Sequence, residues 1–232
     1  MQRKSLKLVP TLILVLLIPI IIAIGTFALD DKKYLFISVS IMILTIAAFV
    51  MSFENRKPKA REIVLISVLS ALAVTGRMAF FMIPQFKPVM AIVIISGITL
   101  GAESGFLTGA LAMFVSNFFF GQGSWTPWQM FAFGIAGFIS GLIFFERNIR
   151  KNRIVLCIYG GLLTVILYGG IMNFYSLLMF SSSITIEGLI AIYLSGLPFD
   201  LVHALSTVCF LFLALKPMIE KIERIKTKYG LL

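Results

Sequence analysis

Eight apolar runs joined by short polar segments leave this chain of 232 residues little choice of solvent. Several runs approach or exceed the roughly 20 residues that carry a helix across a bilayer, and a β-barrel would show shorter segments of alternating polarity instead. Hydrophobic residues make up 59% of the chain and charged residues 13%, which excludes a water-soluble domain with a polar surface. The expectation is an all-α integral membrane protein with spans near residues 9–29, 34–53, 62–83, 88–100, 105–120, 127–145, 154–180 and 188–215. The first run has a basic start, as a signal peptide does. It is long, however, and no small-residue cleavage site follows Phe27, so it reads as a retained helix.

A formal net charge of +10 could point to nucleic acid, but the basic residues sit in short clusters between the spans. Of the 20 Lys and Arg residues, 16 fall on one side of the expected topology, from Arg3 through the Arg56–Arg61 and Arg147–Arg153 clusters to Lys228. Lys32, Lys33 and Lys87 fall on the other side, and Arg77 lies within a span. The positive-inside rule then sets both termini in the cytoplasm after eight crossings, with the lipid bilayer as the surrounding medium and no nucleic-acid partner. Cys157 and Cys209 both fall within spans, without the spacing of a disulfide framework or a metal cluster. No GxxxxGK[ST] phosphate loop occurs, so any ATP drive must come from a partner.

The most polar stretch, "FENRKPKARE" from Phe53 to Glu62, divides the chain. Residues 1–60 hold two helices of mainly Leu, Ile and Val, as expected of lipid-facing anchors, plus a basic linker. Residues 61–225 hold six helices rich in small, aromatic and amide residues, where function is expected. Within them Gly97, Gly101, Gly105 and Gly109 recur every fourth residue, as do Gly137 and Gly141. Small residues at that spacing share a helix face and let backbones approach, which matters in lipid, where apolar burial alone gains nothing. The chain is expected to turn near Ala102 to Ser104, leaving a fourth span of about 13 residues. Ser67, Ala71 and Thr75 form a further small face, suited either to another protein's helix or to a neighbour in the bundle.

Arg77 is the one charged residue well inside the third span, about 22 Å along the helix from Glu62. It either snorkels to the outer interface or donates to a carbonyl, carboxylate or phosphate on a ligand. After it, "FFMIPQFKP" makes a stiff outward loop with Gln85, Phe86 and Lys87 between Pro84 and Pro88. "FFFGQGSWTPWQM" and "SSSITIEG" supply two more outward loops. Trp125 and Trp128 are compatible with an interfacial aromatic belt, but a belt needs no amides, and here Asn117, Gln122 and Gln129 accompany them. Aromatic faces with a few fixed amides suit a pocket for a large neutral or zwitterionic molecule, to which Tyr168, Asn173 and Tyr175 could add a wall. In the last span Asp200 and His203 are i, i+3 neighbours. Counted from Gly188 they lie at middle to inner depth, away from the outward loops, and no nucleophile motif or metal co-ligand accompanies them. A structural contact in a bent helix, an intramembrane enzyme site and a ligand for a metal centre carried by the substrate remain as readings of that pair.

In order, "REIVLISVLSALAV", "PQFKP", "AIVIISGITLGAESGFLTGALAMFVSNFF", a neutral outer loop, "FGIAGFISGLIFF" and "GLPFDLVHALSTVCFLFLALKP" resemble the S components of energy-coupling factor (ECF) vitamin transporters over about residues 61–218. The resemblance implies a six-helix bundle in a bacterial plasma membrane, here preceded by two extra helices, that captures a vitamin at its outer face. It implies partners, a transmembrane T component and two cytoplasmic ATPases, and docking on the T component through Ser67, Ala71 and Thr75. It implies no permanently bound cofactor and no covalent chemistry. The neutral "NFFFGQGSWTPWQMF" loop most resembles the cobalamin-type S components of Firmicutes, so cobalamin or a related corrinoid is the expected ligand, with a queuosine-type base or a smaller vitamin as alternatives. Other classes stay open beside it: an enzyme using Asp200 and His203, and a membrane assembly subunit.

Overall fold

A computed structural model describes residues 8–28, 34–52, 60–145, 147–148, 152–180 and 185–230. The basic linker 53–59, the N-terminal cluster at Arg3, Lys4 and Lys7, Lys32 and Lys33, and residues 181–184 of the third expected outward loop lie outside the described residues. The described chain forms eight helical rods: α1 (8–28), α2 (Tyr34–Ser52), α3 (Ala60–Ala79), α4 (Val89–Leu100), α5 (Ala102–Phe120), α6 (Trp125–Phe144), α7 (Arg153–Phe180) and α8 (Ile186–Tyr229). Four of them, α3, α6, α7 and α8, are long and apolar enough to cross a membrane, while Val9–Ile24 and Val89–Leu100 are apolar but shorter. The chain is an all-α membrane protein.

The shortest helix sits at the centre. All twelve residues of α4 are buried, enclosed by α3, α5, α6 and α8. Burial on every side explains why its residues show no apolar stripe. At 1.5 Å per residue α4 is about 18 Å long, far short of a 30 Å hydrocarbon core. The segment before it is exposed from Phe81 to Gln85 and becomes buried at Pro88, where the chain enters the bundle. After it the chain reverses at the single residue Gly101, whose φ of +107° only glycine adopts readily, and helix resumes at Ala102. The turn thus precedes the expected Ala102–Ser104 stretch, because one glycine with this backbone suffices.

The glycine series does what its spacing implies. A side chain at Gly97 or Gly105 would collide with the Gly137 carbonyl, and one at Gly141 would collide with the Ala102 backbone. Helices α4, α5 and α6 thus meet backbone to backbone. Hydroxyls tie this and the neighbouring interfaces: Ser96 of α4 and Thr108 of α5 share a hydrogen bond at 2.7 Å, Ser140 of α6 meets Tyr159 of α7 at 2.9 Å, and Thr164 of α7 donates to Thr207 of α8 at 3.0 Å.

The hairpin α1–α2 departs from a pair of lipid-facing anchors. Leu14, Ile18, Ile37, Ile41, Thr45 and Ala48 are buried, and α2 packs on α5 and α6. Among the described residues, the opposite face, with Leu16, Ile20, Phe36 and Ile43, is exposed. A uniformly apolar helix gives no sequence signal of which side is covered.

Helix α8 runs for 44 residues, about 66 Å, beyond the span expected to end at residue 215. Its last turns return to the core: Ile219 and Ile222 are buried, and Lys226 donates to the Thr99 carbonyl at 2.9 Å, capping α4.

Candidate functional site

At the end of the bundle carrying the 80–88 segment, a cavity of about 290 Å³ opens between six helices. Arg77, Phe81, Pro84, Gln85 and Lys87 line one side, Val89 lines the floor, and Met113, Phe120, Gln129, Phe133, Tyr168 and His203 complete the wall. Its walls are aromatic, two of its residues are cationic, and none of the described lining residues is acidic.

Arg77 is held rather than left to snorkel. Its Nη1 donates to Ser116 Oγ at 2.5 Å and to Asn117 Oδ1 at 2.7 Å, and its guanidinium lies 4.5 Å from the centroid of Phe120. Such hydrogen bonding and cation–π contact are what a buried guanidinium needs in place of water. Asn117, fully buried behind the wall, passes the connection to α6 by donating to Thr126 Oγ1 at 3.1 Å and Gln129 Oε1 at 3.0 Å. Gln129 and Tyr168 both line the cavity.

Lys87 turns its ammonium onto the end of α3, donating to the carbonyls of Phe80 at 3.0 Å and Ile83 at 2.5 Å. Partial burial, and after it the Arg77 guanidinium nearby, push its pKa below the ordinary lysine value. The Lys87 carbonyl accepts from Ser206 at 2.7 Å, which fastens the 80–88 segment to α8. His203, one turn before Ser206, is buried with its ring 4.6 Å from that of Tyr168 and 5.9 Å from that of Phe133, and its Nδ1 has no hydrogen-bond partner.

The residues expected at the site divide. Arg77, Gln85, Gln129 and Tyr168 line the cavity, and Asn117 stands directly behind Arg77. Gln85 does so from a left-handed backbone, φ +54°, uncommon for a residue with a side chain. Phe86 packs instead on Phe80 and Phe210. Gln122 folds back to donate to the Phe114 carbonyl at 3.1 Å. Trp125 is partly exposed beside Gly123, and Asn173 donates to Asp200 at 2.7 Å. Trp128 lines a different space, an open groove of about 450 Å³ walled by α1, α7 and Phe131. That groove is the larger of the two, but nearly all of its lining is apolar, whereas donors converge on the smaller cavity.

One expectation is corrected. His203 does not lie away from the outward loops: it shares the cavity with Gln85 and Lys87. Counting depth from Gly188 gave no sign that Lys87, just before the short α4, is held against α8 by the hydrogen bond from Ser206. The remaining lining, Phe81, Met113, Phe120 and Phe133, was not anticipated. Phe133 follows Gln129 by four residues and thus shares its helix face, a signal the sequence did offer. Ser67, Ala71 and Thr75 are all exposed along α3, between Val64, Val68 and Leu72, which are exposed too.

Comparison with known proteins bears on this site directly. Residues 57–218, which contain the whole cavity, match the family "ECF-type riboflavin transporter, S component". A UPF0397 protein of Aliivibrio fischeri (strain ATCC 700601 / ES114) is 36% identical over 100 residues, 41% of this chain and 52% of the relative. One from Vibrio atlanticus (strain LGP32) is 32% identical over 100 residues, 41% and 53% of the two chains, and one from Aliivibrio salmonicida (strain LFI1238) is 35% identical over 88 residues, 36% and 48%. The chain spans about half the length of the curated relatives it matches. No solved structure matches it. With most of its length inside one family and a membrane bundle built around an open cavity, the chain belongs to the family of ECF-type riboflavin transporter S components.

Proposed function

We propose that the chain captures a planar, carbonyl-bearing heteroaromatic vitamin of the flavin class in the cavity between Arg77 and His203, for uptake driven by partner subunits. The observation that carries this reading is the composition of the wall: Phe81, Phe120, Phe133 and Tyr168 offer faces for a flat ring, while Arg77 and Gln129 offer N–H groups for its edge, with no carboxylate among the described lining residues. A flavin ring edge carries two carbonyls and the N1 and N5 nitrogens as acceptors, with a single N–H donor, N3, between the carbonyls. The family description, which names riboflavin, supports the same class.

A corrinoid fits this site less well. It is far larger than about 290 Å³, near the lower end of the roughly 300–1,000 Å³ of ligand pockets, and two of the residues expected to hold it, Trp125 and Trp128, lie outside the cavity. Its binding would require the 80–88 segment and the 121–124 turn to part. A compact queuosine-type base would suit the cavity by size but not by its exocyclic amine, a donor facing donors.

The charge asymmetry of the sequence supports eight crossings with both termini in the cytoplasm, which opens the cavity outward. In that setting the T component docks on the exposed Ser67, Ala71 and Thr75 face, and two ATPases supply the energy this chain has no phosphate loop to harvest. The mechanism is binding followed by reorientation, and ligand shifts the two states only by its difference in affinity between them. The test is riboflavin uptake in a flavin auxotroph expressing this chain with a T component and two ATPases. Uptake that depends on this chain and is lost in Arg77→Met supports the proposal. Uptake of cobalamin but not riboflavin would overturn it.

A further inference from the structure

A guanidinium has only N–H donors, so Arg77, whose Nη1 lies 2.7 Å from the Asn117 side chain, holds that amide oxygen-first. The Asn117 nitrogen must then point to α6, where it donates to Thr126 Oγ1 at 3.1 Å and Gln129 Oε1 at 3.0 Å. Since an NH₂ group accepts nothing, Gln129 is obliged to turn its own oxygen toward Asn117 and its nitrogen away from it, on the side of the cavity that it lines. Asn117 is fully buried, so no bulk water relaxes the constraint. A surface glutamine flips freely. This one has its polarity set by a fixed charge two side chains away.

We infer that Asn117 is a specificity-determining residue, a positioning group that makes Gln129 present a donor to the cavity and so selects ligands carrying an acceptor at that point. The inference deepens the ring-pocket reading above and rests on it. Chemistry makes the device reversible without a change of shape. In Asn117→Asp the carboxylate still accepts from Arg77 but has no N–H for Gln129, which must rotate, donate its nitrogen and show its oxygen to the cavity. Donor becomes acceptor at one point of the wall.

Two probes differ at the same ring edge: lumazine, a pteridine-2,4-dione, and 2,4-diaminopteridine. Each is titrated calorimetrically into the purified full-length chain in detergent. Wild type is expected to prefer the dione, and Asn117→Asp to shift the ratio of the two dissociation constants toward the diamine by about tenfold or more, the effect of one mismatched buried polar contact. Equal weakening of both probes with the ratio unchanged would show that Asn117 is merely structural and overturn the inference. If Asn117→Asp is not monodisperse, Gln129→Glu serves, because it keeps an acceptor toward Asn117 and removes the N–H toward the cavity. The same shift is expected, and an unchanged ratio overturns the inference.

If wild type binds neither probe, the ring-pocket reading fails and the relay is judged by melting temperature. Gln129→Glu alone should melt close to wild type, while Asn117→Asp with Gln129→Glu, which sets two carboxylates face to face, should melt well below the sum of the single shifts. Additive shifts would overturn the relay.

Discussion

The Ser206 hydroxyl donates to the Lys87 carbonyl at 2.7 Å, across 119 positions of sequence, and this bond, together with the packing of Phe80 and Phe86 on Phe210, fastens the segment that roofs the cavity to the helix that carries His203. Ser206 is fully buried, so the carbonyl it serves has no bulk water as a substitute. The relationship explains why a residue one turn earlier on α8 reaches a site formed largely by α3, α5 and α6.

Ser206→Ala should therefore cost about 1–3 kcal/mol, the range for leaving a buried polar group unpaired. Thermal unfolding in detergent measures the loss. Riboflavin affinity should fall with it, because the roof is no longer pinned. A variant with unchanged melting and unchanged affinity would show that the bond contributes nothing.

Arg77 is predicted to be worth more than its charge. Arg77→Met removes the donor to Ser116 and Asn117 and frees Asn117 to flip, so binding of riboflavin should weaken more than tenfold. Arg77→Lys keeps one charge but cannot donate to both partners and lie over Phe120 as a planar group, so it should recover only part of the affinity. Full recovery by lysine would reduce the role of Arg77 to electrostatics.

Gly137→Ala tests the close helix contact. The new methyl meets the Gly105 backbone and Val93, and overpacking of this kind costs about 1–3 kcal/mol. The loss should appear in thermal unfolding, whereas Gly170→Ala, where nothing lies within 4 Å of the added carbon, should melt within about 0.5 kcal/mol of wild type.

The α3 face separates capture from transport. Ser67→Leu with Ala71→Leu places bulk on an exposed surface, so ligand binding by the isolated chain should be unchanged while uptake with the partner subunits is lost. Intact uptake would remove this face from the docking interface.

Much of this organisation was legible in the sequence because lipid imposes simple rules. Run length and charge placement delimit the rods, and the fourfold glycine spacing marks where α4, α5 and α6 touch. Arg77 and Gln129 could be picked out because a charge and an amide are costly between apolar spans. What escaped was depth and facing. Nothing local in "PQFKP" says that its lysine carbonyl meets α8; that contact depends on Ser206, 119 positions away. Phe81 and Phe120 escaped because one phenylalanine among 22 carries no mark of which face it lines, whereas Phe133 could have been found from its i, i+4 spacing to Gln129. Trp128 was conspicuous as a tryptophan, yet its indole lines the apolar groove beside α1. The covered side of α1 and α2 was invisible for the same reason, since helices apolar all round carry no stripe to read.

The most direct measurement is the fluorescence of riboflavin titrated with the purified protein, with Phe120→Ala and Trp128→Ala titrated in parallel and cobalamin added as competitor. Stacking in the cavity should quench the flavin with saturable, stoichiometric binding, weakened by Phe120→Ala, largely unaffected by Trp128→Ala and not displaced by cobalamin. Cobalamin displacement that depends on Trp128, or no flavin binding by folded protein, would contradict the placement of a flat vitamin between Arg77 and His203.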